Sequence, residues 1–313
     1  MIAYLIRRIL YSIIVIFGVL FVVFAVARLS PVDPVKYILQ QSGRNVGDVD
    51  PVEYANLRHQ LGLDRPIPVQ FVTYIGQVLH GDFGESIINR GRSVSDIMGR
   101  GIPVSLQLAV MGLALQFIFG NLLGVLAAAR HNSVFDRVSM GVAIVVGSIP
   151  QLVWGVIFII VFAVKLRWLP IRGWDGPKYW VLPTLTIAVT GLAIYGRFGR
   201  AAILEQIRQD YIRTARAKGL QERVVLFRHV LRNALVPILT FVGPSFAALI
   251  VGNFVVETMY GVPGIAFYAI TASINGDYPV MQATVLLIAV SIMTVNLVID
   301  LLYGVVDPRI RLS

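Results

Sequence analysis

Few residues of this chain have side chains suited to covalent or acid–base chemistry. The 313 residues include no cysteine, which excludes disulfides, Cys-ligated metal sites and thiol nucleophiles. No HExxH motif of a zinc protease surrounds any of the four histidines, His59, His80, His131 and His229. The segment Gly243 to Ala247 (GPSFA) only partly matches a nucleophile elbow, and we interpret Ser245 as a small packing residue. The sequence therefore predicts no catalytic residue and no metal site.

The residue pattern also bears on the energy source. A nucleotide-binding P-loop needs a Gly-Lys pair before Ser or Thr. None of the four lysines (Lys36, Lys165, Lys178 and Lys218) follows a glycine. A proton-coupled carrier usually has Asp, Glu or His inside its membrane spans, and the apolar stretches of this chain contain none. ATP hydrolysis must therefore come from elsewhere, and a stand-alone channel or secondary carrier is the alternative.

The elements that would carry these residues are membrane helices. The chain is 57% hydrophobic and 14% charged, with a mean hydropathy of +0.76. About 20 apolar residues cross a bilayer as a helix. Six uncharged stretches have that size: Ile9–Ala27, Ile102–Ala129, Val138–Val164, Tyr179–Gly196, Asn233–Val256 and Tyr278–Ile299. We predict an all-α polytopic membrane protein with six transmembrane helices.

The distribution of Lys and Arg predicts the orientation. An even number of spans places both termini on one side, where the short connections and tails hold 15 of the 27 basic residues. Eight of the other twelve lie in the long connection near 28–101, and long loops have little influence on orientation. Both termini are therefore predicted to be cytoplasmic. The net charge of +10 is attributed to basic cytoplasmic loops and not to nucleic-acid binding.

Two polar segments are predicted on the outer side. The connection at about 30–101 is interpreted as a small external cap with a short helix near Val52–Leu61. The segment from Glu257 to Asp277 is predicted to form short surface or re-entrant helices. Glu257, just outside the fifth span, is expected to be an ordinary solvated carboxylate, with a position facing the external mouth as the alternative.

Uncharged polar residues inside the spans are candidates for a translocation path. They are Gln107, Gln116, Asn121, Gln151, Asn253 and Asn296. Hydrogen bonds between helices require the same residue types, so a packing role is the alternative for each. Gly120, Gly124 and Ala128 form a small-residue face that predicts close helix packing. Four prolines inside the spans could kink their helices, although proline is common in membrane helices: Pro150, Pro183, Pro237 and Pro244.

The segment at about 197–232 is the most informative polar stretch. It carries nine Lys or Arg residues and three acids. Leu204, Ile207, Tyr211 and Ala215 follow helical spacing on one face, and Gly219 after Lys218 predicts a helix end. A second amphipathic stretch includes Val224, Phe227 and Leu231. We predict two short helices with a glycine corner, which either lie on lipid headgroups or bind a cytoplasmic partner.

These residues resemble a known family. DYIRTARAKG at Asp210–Gly219, followed by LRNAL at Leu231–Leu235, is similar to the cytoplasmic coupling loop of permease subunits of dipeptide, oligopeptide and nickel ABC importers. The general loop has Glu-Ala-Ala, three residues and Gly, whereas this chain has Arg213, Thr214 and Ala215 before Gly219, as the peptide group does. The resemblance covers nearly the whole chain. Further matching motifs are Arg7-Arg8, Asp33-Pro34, Leu61-Gly62-Leu63-Asp64, Gly81-Asp82-Phe83-Gly84, Leu182-Pro183-Thr184-Leu185, Val255-Val256-Glu257, Pro263-Gly264, Asp277-Tyr278-Pro279-Val280 and Asp307-Pro308-Arg309-Ile310-Arg311.

The resemblance implies a fold, partners and a function. The fold would be that of a type I ABC-importer permease, with residues 1–313 as one transmembrane domain in a prokaryotic inner membrane. The partners would be a second homologous permease, two cytoplasmic ATPases that hold ATP and Mg, an external solute-binding protein and membrane lipid. This chain would need no cofactor. The implied cargo is a di- or oligopeptide, with nickel or glutathione as alternatives.

The resemblance also identifies candidate residues for coupling to the ATPases. The tip that transmits ATPase motion would comprise Ala215, Ala217, Lys218, Gly219 and Leu220. The arginines that flank the tip and would dock on the ATPases are Arg213, Arg216 and Arg223.

Overall fold

The computed structural model describes residues 2–29, 35–36, 39, 50–60, 62–89 and 91–306. Within them the regular secondary structure is helical, apart from an isolated antiparallel bridge between Glu85 and Ser93. The helices are α1 (Ile2–Leu29), α2 (Pro51–Gln60), α3 (Ile67–Leu79), α4 (Val94–Ala129), α5 (Val134–Ser148), α6 (Gln151–Phe158), α7 (Pro177–Ile207), α8 (Asp210–Ala217), α9 (Leu231–Gly252), α10 (Phe254–Tyr260), α11 (Ile265–Asn275) and α12 (Tyr278–Val306). The predicted all-α class is confirmed.

Several helices have the length and composition of membrane spans. Among the described residues, four stretches qualify alone: Val94–Ala129, Pro177–Ile207, Glu222–Ile250 and Tyr278–Val298. Two bent pairs of shorter helices qualify when each pair is counted as one span, which gives up to six: Val134–Ser148 with Gln151–Lys165, and Phe254–Tyr260 with Ile265–Asn275. The first predicted span is not counted among these six; it lies within α1, a helix of 28 residues whose apolar part is Leu10–Val26. The chain is therefore a multi-pass helical membrane protein.

The third predicted span is broken, which corrects the prediction of one helix over Val138–Val164. Helix α5 and the stretch Gln151–Lys165 meet at an angle of 97°. Ile149 is extended, with φ −82° and ψ 127°, a conformation that steric contact with the following proline ring favours. The second half begins after Pro150 and ends in π-helical turns over Ile159–Lys165. The kink predicted at Pro150 is therefore a complete break.

The segment at 197–232 also differs from the prediction of two short helices. Leu204 and Ile207 belong to the end of α7, and the chain turns through an extended Gln209 before α8 begins. The second amphipathic stretch is the start of the fifth span, because helix runs from Glu222 through π-helical turns at Val225–Val230 into α9. No glycine or proline between 221 and 236 could stop that helix. Only α8 is a separate short helix.

The predicted helices outside the main spans are present. The expected helix near Val52–Leu61 is α2, and the expected short helices between Glu257 and Asp277 correspond to α10 and α11. Helix α10 ends at Gly261 in the left-handed conformation, with φ 62°. Glycine takes this conformation without steric penalty, which explains why α10 stops there.

The chain divides into two compact units. One is built from Met1–Ile102 with Ile265–Met293, and the other from Pro103–Gly264 with Thr294–Arg311. The core of the first includes Val94, Met98 and Val280. The second has one cluster around Ile212, Val225 and Ile238 and another around Leu108, Leu182 and Tyr260, all buried. The single-domain organisation stays a prediction.

Candidate functional site

Helix α8 carries the coupling candidates on a projection that is anchored from one side. Ile212 and Ala215 are buried, and they belong to a cluster with Val225 and Val230 at the start of the fifth span. The predicted tip residue Ala215 is therefore a packing residue. Burial of these apolar side chains fixes the orientation of α8 against the span that follows it in the chain.

The end of α8 has the geometry expected for its glycine. The Gly219 amide donates to the Arg216 carbonyl at 2.9 Å, and the Leu220 amide donates to the Ala215 carbonyl at 3.4 Å. These two bonds form a Schellman motif, which satisfies carbonyls that the helix end leaves free. Gly219 has φ +73°, and no atom lies within 4 Å of where its Cβ would be. The predicted left-handed glycine is confirmed.

An ion pair closes the corner that Gly219 makes. Arg216 Nη2 lies 2.6 Å from Glu222 Oε1, and Arg216 Nε lies 3.1 Å from Glu222 Oε2. The two parallel bonds give this pair a defined geometry, and the Glu222 carboxylate raises the pKa of Arg216 above its ordinary value. Arg216 was predicted to dock on the ATPases, and its pairing with Glu222 was not predicted. The presence of an Arg and a Glu on either side of the predicted turn at Gly219 could have indicated this ion pair.

The other coupling candidates share one exposed surface. Arg213, Ala217, Lys218, Leu220 and Arg223 are all exposed. Arg213 lies 3.3 Å from Asp210 on the previous turn, and both side chains are mostly in solvent. Pairs of this kind contribute little to stability, so these cations remain able to meet an external carboxylate. Apart from buried Ala215, the predicted tip and its flanking arginines are therefore exposed, in α8 and in the residues that directly follow it.

A buried ion pair lies at the turn between α4 and α5. Asp136 is buried, and Arg200 of α7 binds its two oxygens at 2.5 Å from Nε and 2.7 Å from Nη2. The Asn132 amide donates to the same carboxylate at 2.9 Å, and His131 Nδ1 lies 3.2 Å from Arg200 Nη2. Breaking such a pair leaves a buried charge unpaired, which is strongly destabilising. The pair therefore ties this turn to α7.

That turn borders the coupling projection. A cleft of about 250 Å³ is lined by His131 of the turn, Arg208 at the end of α7, and the Arg216–Glu222 pair. Sequence reasoning missed this arrangement, because Asp136 and Arg200 are 64 residues apart in the chain.

Helices α4 and α7 pack closely, as the small-residue face predicted. A Cβ on Gly124 would lie 2.7 Å from the backbone nitrogen of Arg200 and from the Gly196 oxygen. A Cβ on Gly120 would lie 3.0 Å from the Leu192 oxygen. These distances are shorter than carbon contacts allow, so the two helices touch through their backbones.

The polar path candidates divide by environment. Gln116 is buried and donates to the Ile187 carbonyl of α7 at 3.0 Å, and Asn121 donates within α4 to Phe117 at 2.7 Å. Asn253 is buried at the break between α9 and α10. Gln107 and Gln151 are half-buried, whereas Asn296 is exposed. The contact made by Gln116 fits the packing alternative, and the structure does not gather the six candidates into one site.

Glu257 corrects a prediction. The fifth span ends at Gly252, before the predicted Val256, and Glu257 is fully buried in α10. The Ser105 hydroxyl donates to Glu257 Oε1 at 2.6 Å, and a Cβ on Gly264 would collide with both side chains. The carboxylate is therefore a buried hydrogen-bond acceptor and is not solvated. The short turn at Val262–Gly264 folds back over it, which the sequence pattern did not indicate.

A second buried carboxylate organises two of the family motifs. The Asp277 carboxylate accepts a hydrogen bond from the Ser86 hydroxyl at 2.5 Å and from the Ile87 amide at 3.2 Å. Phe83 and Val280 pack in the same cluster nearby. The motifs at Gly81–Gly84 and Asp277–Val280 thus have a structural role in holding one loop. The motifs Asp33-Pro34 and Asp307 to Arg311, together with Leu61, lie outside the described residues.

Two family models match this chain and together cover nearly all of it. Residues 120–312 match the model of the binding-protein-dependent transport system inner membrane component, and residues 1–108 match that of its N-terminal region. The chain is 36% identical over 339 residues to the di/tripeptide transport system permease protein DppB of Pseudomonas aeruginosa, with 99% of each covered. It is 37% identical over 311 residues to the glutathione transport system permease protein GsiC of Escherichia coli K12, with 99% of each covered.

A third relative and two solved structures agree with these matches. The oligopeptide transport system permease protein OppB of Salmonella typhimurium is 35% identical over 313 residues, with 99% of this chain and 100% of OppB covered. The MetNI methionine ABC transporter, in an inward-facing conformation, has a TM-score of 0.57 at 18% identity and covers 67% of this chain and 96% of its own. An amino acid ABC transporter has a TM-score of 0.54 at 17% identity, covering 66% and 93%. At 17–18% identity, the similarity to these two structures shows a shared fold and no more.

Proposed function

Because this chain belongs to the family of inner membrane components of binding-protein-dependent transport systems, we propose that it is the membrane-spanning subunit of an ATP-driven peptide importer. It is a multi-pass membrane transport subunit and not an enzyme. In the proposed assembly it forms half of the translocation pathway. A second, homologous permease forms the other half, and an external solute-binding protein delivers the cargo.

The observation that carries the proposal is the anchored basic projection at α8. A coupling element must be exposed to its partner and rigidly connected to the spans that move. Exposed Arg213, Lys218 and Arg223 supply the surface, while buried Ile212 and Ala215 supply the connection to the fifth span. Two cytoplasmic ATPases, which bind ATP and Mg, would dock here. The proposed orientation, with both termini in the cytoplasm, places α8 on the same side as those ATPases.

Peptide is the cargo that the similarities favour. DppB and OppB are named for di/tripeptide and oligopeptide transport, and both align with almost the whole chain. Glutathione is the second candidate, because GsiC is equally similar. Glutathione is itself a tripeptide, so one pathway chemistry suits both. The binding protein would select between them, because it meets the cargo first.

Reconstitution in proteoliposomes tests the proposed function. With the second permease, the ATPases and the binding protein, uptake of labelled dipeptide should require ATP and persist when the proton gradient is collapsed. The isolated chain should neither hydrolyse ATP nor move peptide. Proton-driven uptake by the isolated chain would contradict the importer assignment. ATP-driven uptake of glutathione or nickel without dipeptide would contradict only the choice of cargo.

A further inference from the structure

Helix α3 has the composition of a membrane segment but not the length. Its 13 residues, IPVQFVTYIGQVL, carry no charge. A helix of this size is about 20 Å long, too short to cross the roughly 30 Å hydrocarbon core. Apolar helices of 10–14 residues are usually either buried in a protein core or placed at the membrane interface. None of the α3 residues is buried, which argues against a core helix.

Contacts with α1 place α3 at a definite depth. The Phe71 ring lies 5.6 Å from Phe17, 5.7 Å from Phe21 and 5.2 Å from Phe24, measured between ring centroids. The Tyr74 ring stacks on Phe24 at 5.9 Å. The predicted first span ends at Ala27, and Phe21 lies about 9 Å below that end at 1.5 Å per residue. Phe71 therefore reaches well inside the apolar zone.

The outward arc of α3 is aliphatic. Its polar residues Gln70, Thr73 and Gln77 line a cleft of about 630 Å³ within the same unit, and Thr73 and Gln77 are also exposed. Its outward arc carries Val69, Val72 and Leu79, which fall within about 80° on the helical wheel. Val72 is 69% exposed and Leu79 is 78% exposed. Such an exposed aliphatic arc is disfavoured on a helix that water surrounds.

The outward faces of α3 and α1 both consist of exposed aliphatic side chains. On α1, Ile14 and Val22 are more than half exposed, in a helix whose apolar length matches a bilayer. Because α3 contacts α1 within the C-terminal half of that apolar region, the medium that covers Val22 is also expected to cover Val72.

We propose that α3 is an interfacial helix that lies in the leaflet around the C-terminal half of α1, with Val69, Val72 and Leu79 covered by lipid acyl chains. Amphipathic interfacial helices sink their apolar face about 5–10 Å into the boundary between headgroups and acyl chains, which agrees with the depth of Phe71. The predicted external cap at about 30–101 thus contains a membrane-embedded helix.

Site-directed spin labelling tests this placement directly, because the chain has no cysteine of its own. Single variants Val72→Cys, Val52→Cys and Val22→Cys would be labelled in the full transporter complex reconstituted in lipid. All three valines are more than half exposed, but Val52 lies on the polar helix α2 and Val22 on α1. Oxygen concentrates in lipid and relaxes spin labels that face acyl chains. A water-soluble nickel chelate relaxes spin labels that face solvent.

The label at Val72 should resemble the label at Val22. Its relaxation by the nickel chelate should be several-fold lower than at Val52, and its relaxation by oxygen should be higher. If Val72 matches Val52, α3 lies in water and the proposal is wrong. If both reagents are excluded at Val72, a protein surface covers α3, and the proposal is equally wrong.

Discussion

Gly219 shows how one residue sets the shape of the proposed coupling projection at α8. Its φ of +73° lets the chain leave α8 and turn into the fifth span, and the Arg216–Glu222 pair closes over that turn. A residue with a Cβ pays about 1–2 kcal/mol to adopt this conformation. Because no atom lies within 4 Å of the missing Cβ, the backbone angle is the constraint and crowding is not.

A pair of substitutions at Gly219 tests this role. Gly219→Val should shift the tip and increase the ATP hydrolysed for each peptide imported, because β-branched residues are strained in the left-handed region. Gly219→Asn should retain most of the coupling, since asparagine accepts that conformation. The measurement is the ratio of ATPase activity to uptake in proteoliposomes. Equal ratios in the wild type and the valine variant would remove Gly219 from the coupling mechanism.

At the scale of elements, the contact between α4 and α7 determines how one half of the second unit holds together. Gly120 and Gly124 let the two backbones approach, and the Asp136–Arg200 pair fixes the end of the same interface. Lipid acyl chains are as apolar as the helix side chains, so the hydrophobic effect does not drive helices together within the membrane. Helices associate there through close packing and polar contacts.

Substitution of one glycine at a time tests the interface. Gly124→Ala should destabilise the protein by about 1–3 kcal/mol, because its Cβ would overlap fixed backbone atoms. Gly141→Ala in α5 is the matched control, since no atom lies within 4 Å of its Cβ, and it should be neutral or slightly stabilising. Thermal unfolding of the purified protein would measure both. Equal melting temperatures for the two variants would contradict the proposed backbone contact.

Local signals were readable from the sequence, and long-range contacts were not. The left-handed end at Gly219 and the disruption at Pro150 follow from rules about one or two neighbouring residues. The same proline rule does not separate the cases, because Pro183, Pro237 and Pro244 lie inside helices α7 and α9. The break before α8 was missed because apolar spacing continues across Gln209 although the helix does not. Glu257 was misplaced because its partner Ser105 is 152 residues away in the chain. No pattern in a single sequence identifies such a pair.

At the scale of the whole molecule, the distribution of basic residues predicts the orientation. Cysteines placed at Met1 and Ser313 should be protected from a membrane-impermeant maleimide in intact cells, whereas a cysteine at Asn45 should react. The positive-inside rule supplies the reason, since the short basic connections stay in the cytoplasm. Permeabilised cells, in which all three positions should react, provide the control. Reaction at Ser313 in intact cells would reverse the orientation.

The proposed orientation and the anchored projection together require that α8 touches the ATPases. In the absence of other cysteines, Lys218→Cys offers a single attachment point at the exposed tip. Asp175→Cys is the matched control, because it lies between the third and fourth predicted spans, a connection that the predicted orientation puts outside. Both residues are exposed.

Cross-linking from these two positions in the assembled transporter is the most direct measurement. A short bifunctional reagent should join Lys218→Cys to an ATPase subunit at high yield, and it should not join Asp175→Cys to either ATPase. If the assembled, transport-competent complex gives no ATPase adduct at Lys218→Cys while that cysteine reacts freely with a soluble maleimide, the projection at α8 is not the coupling site.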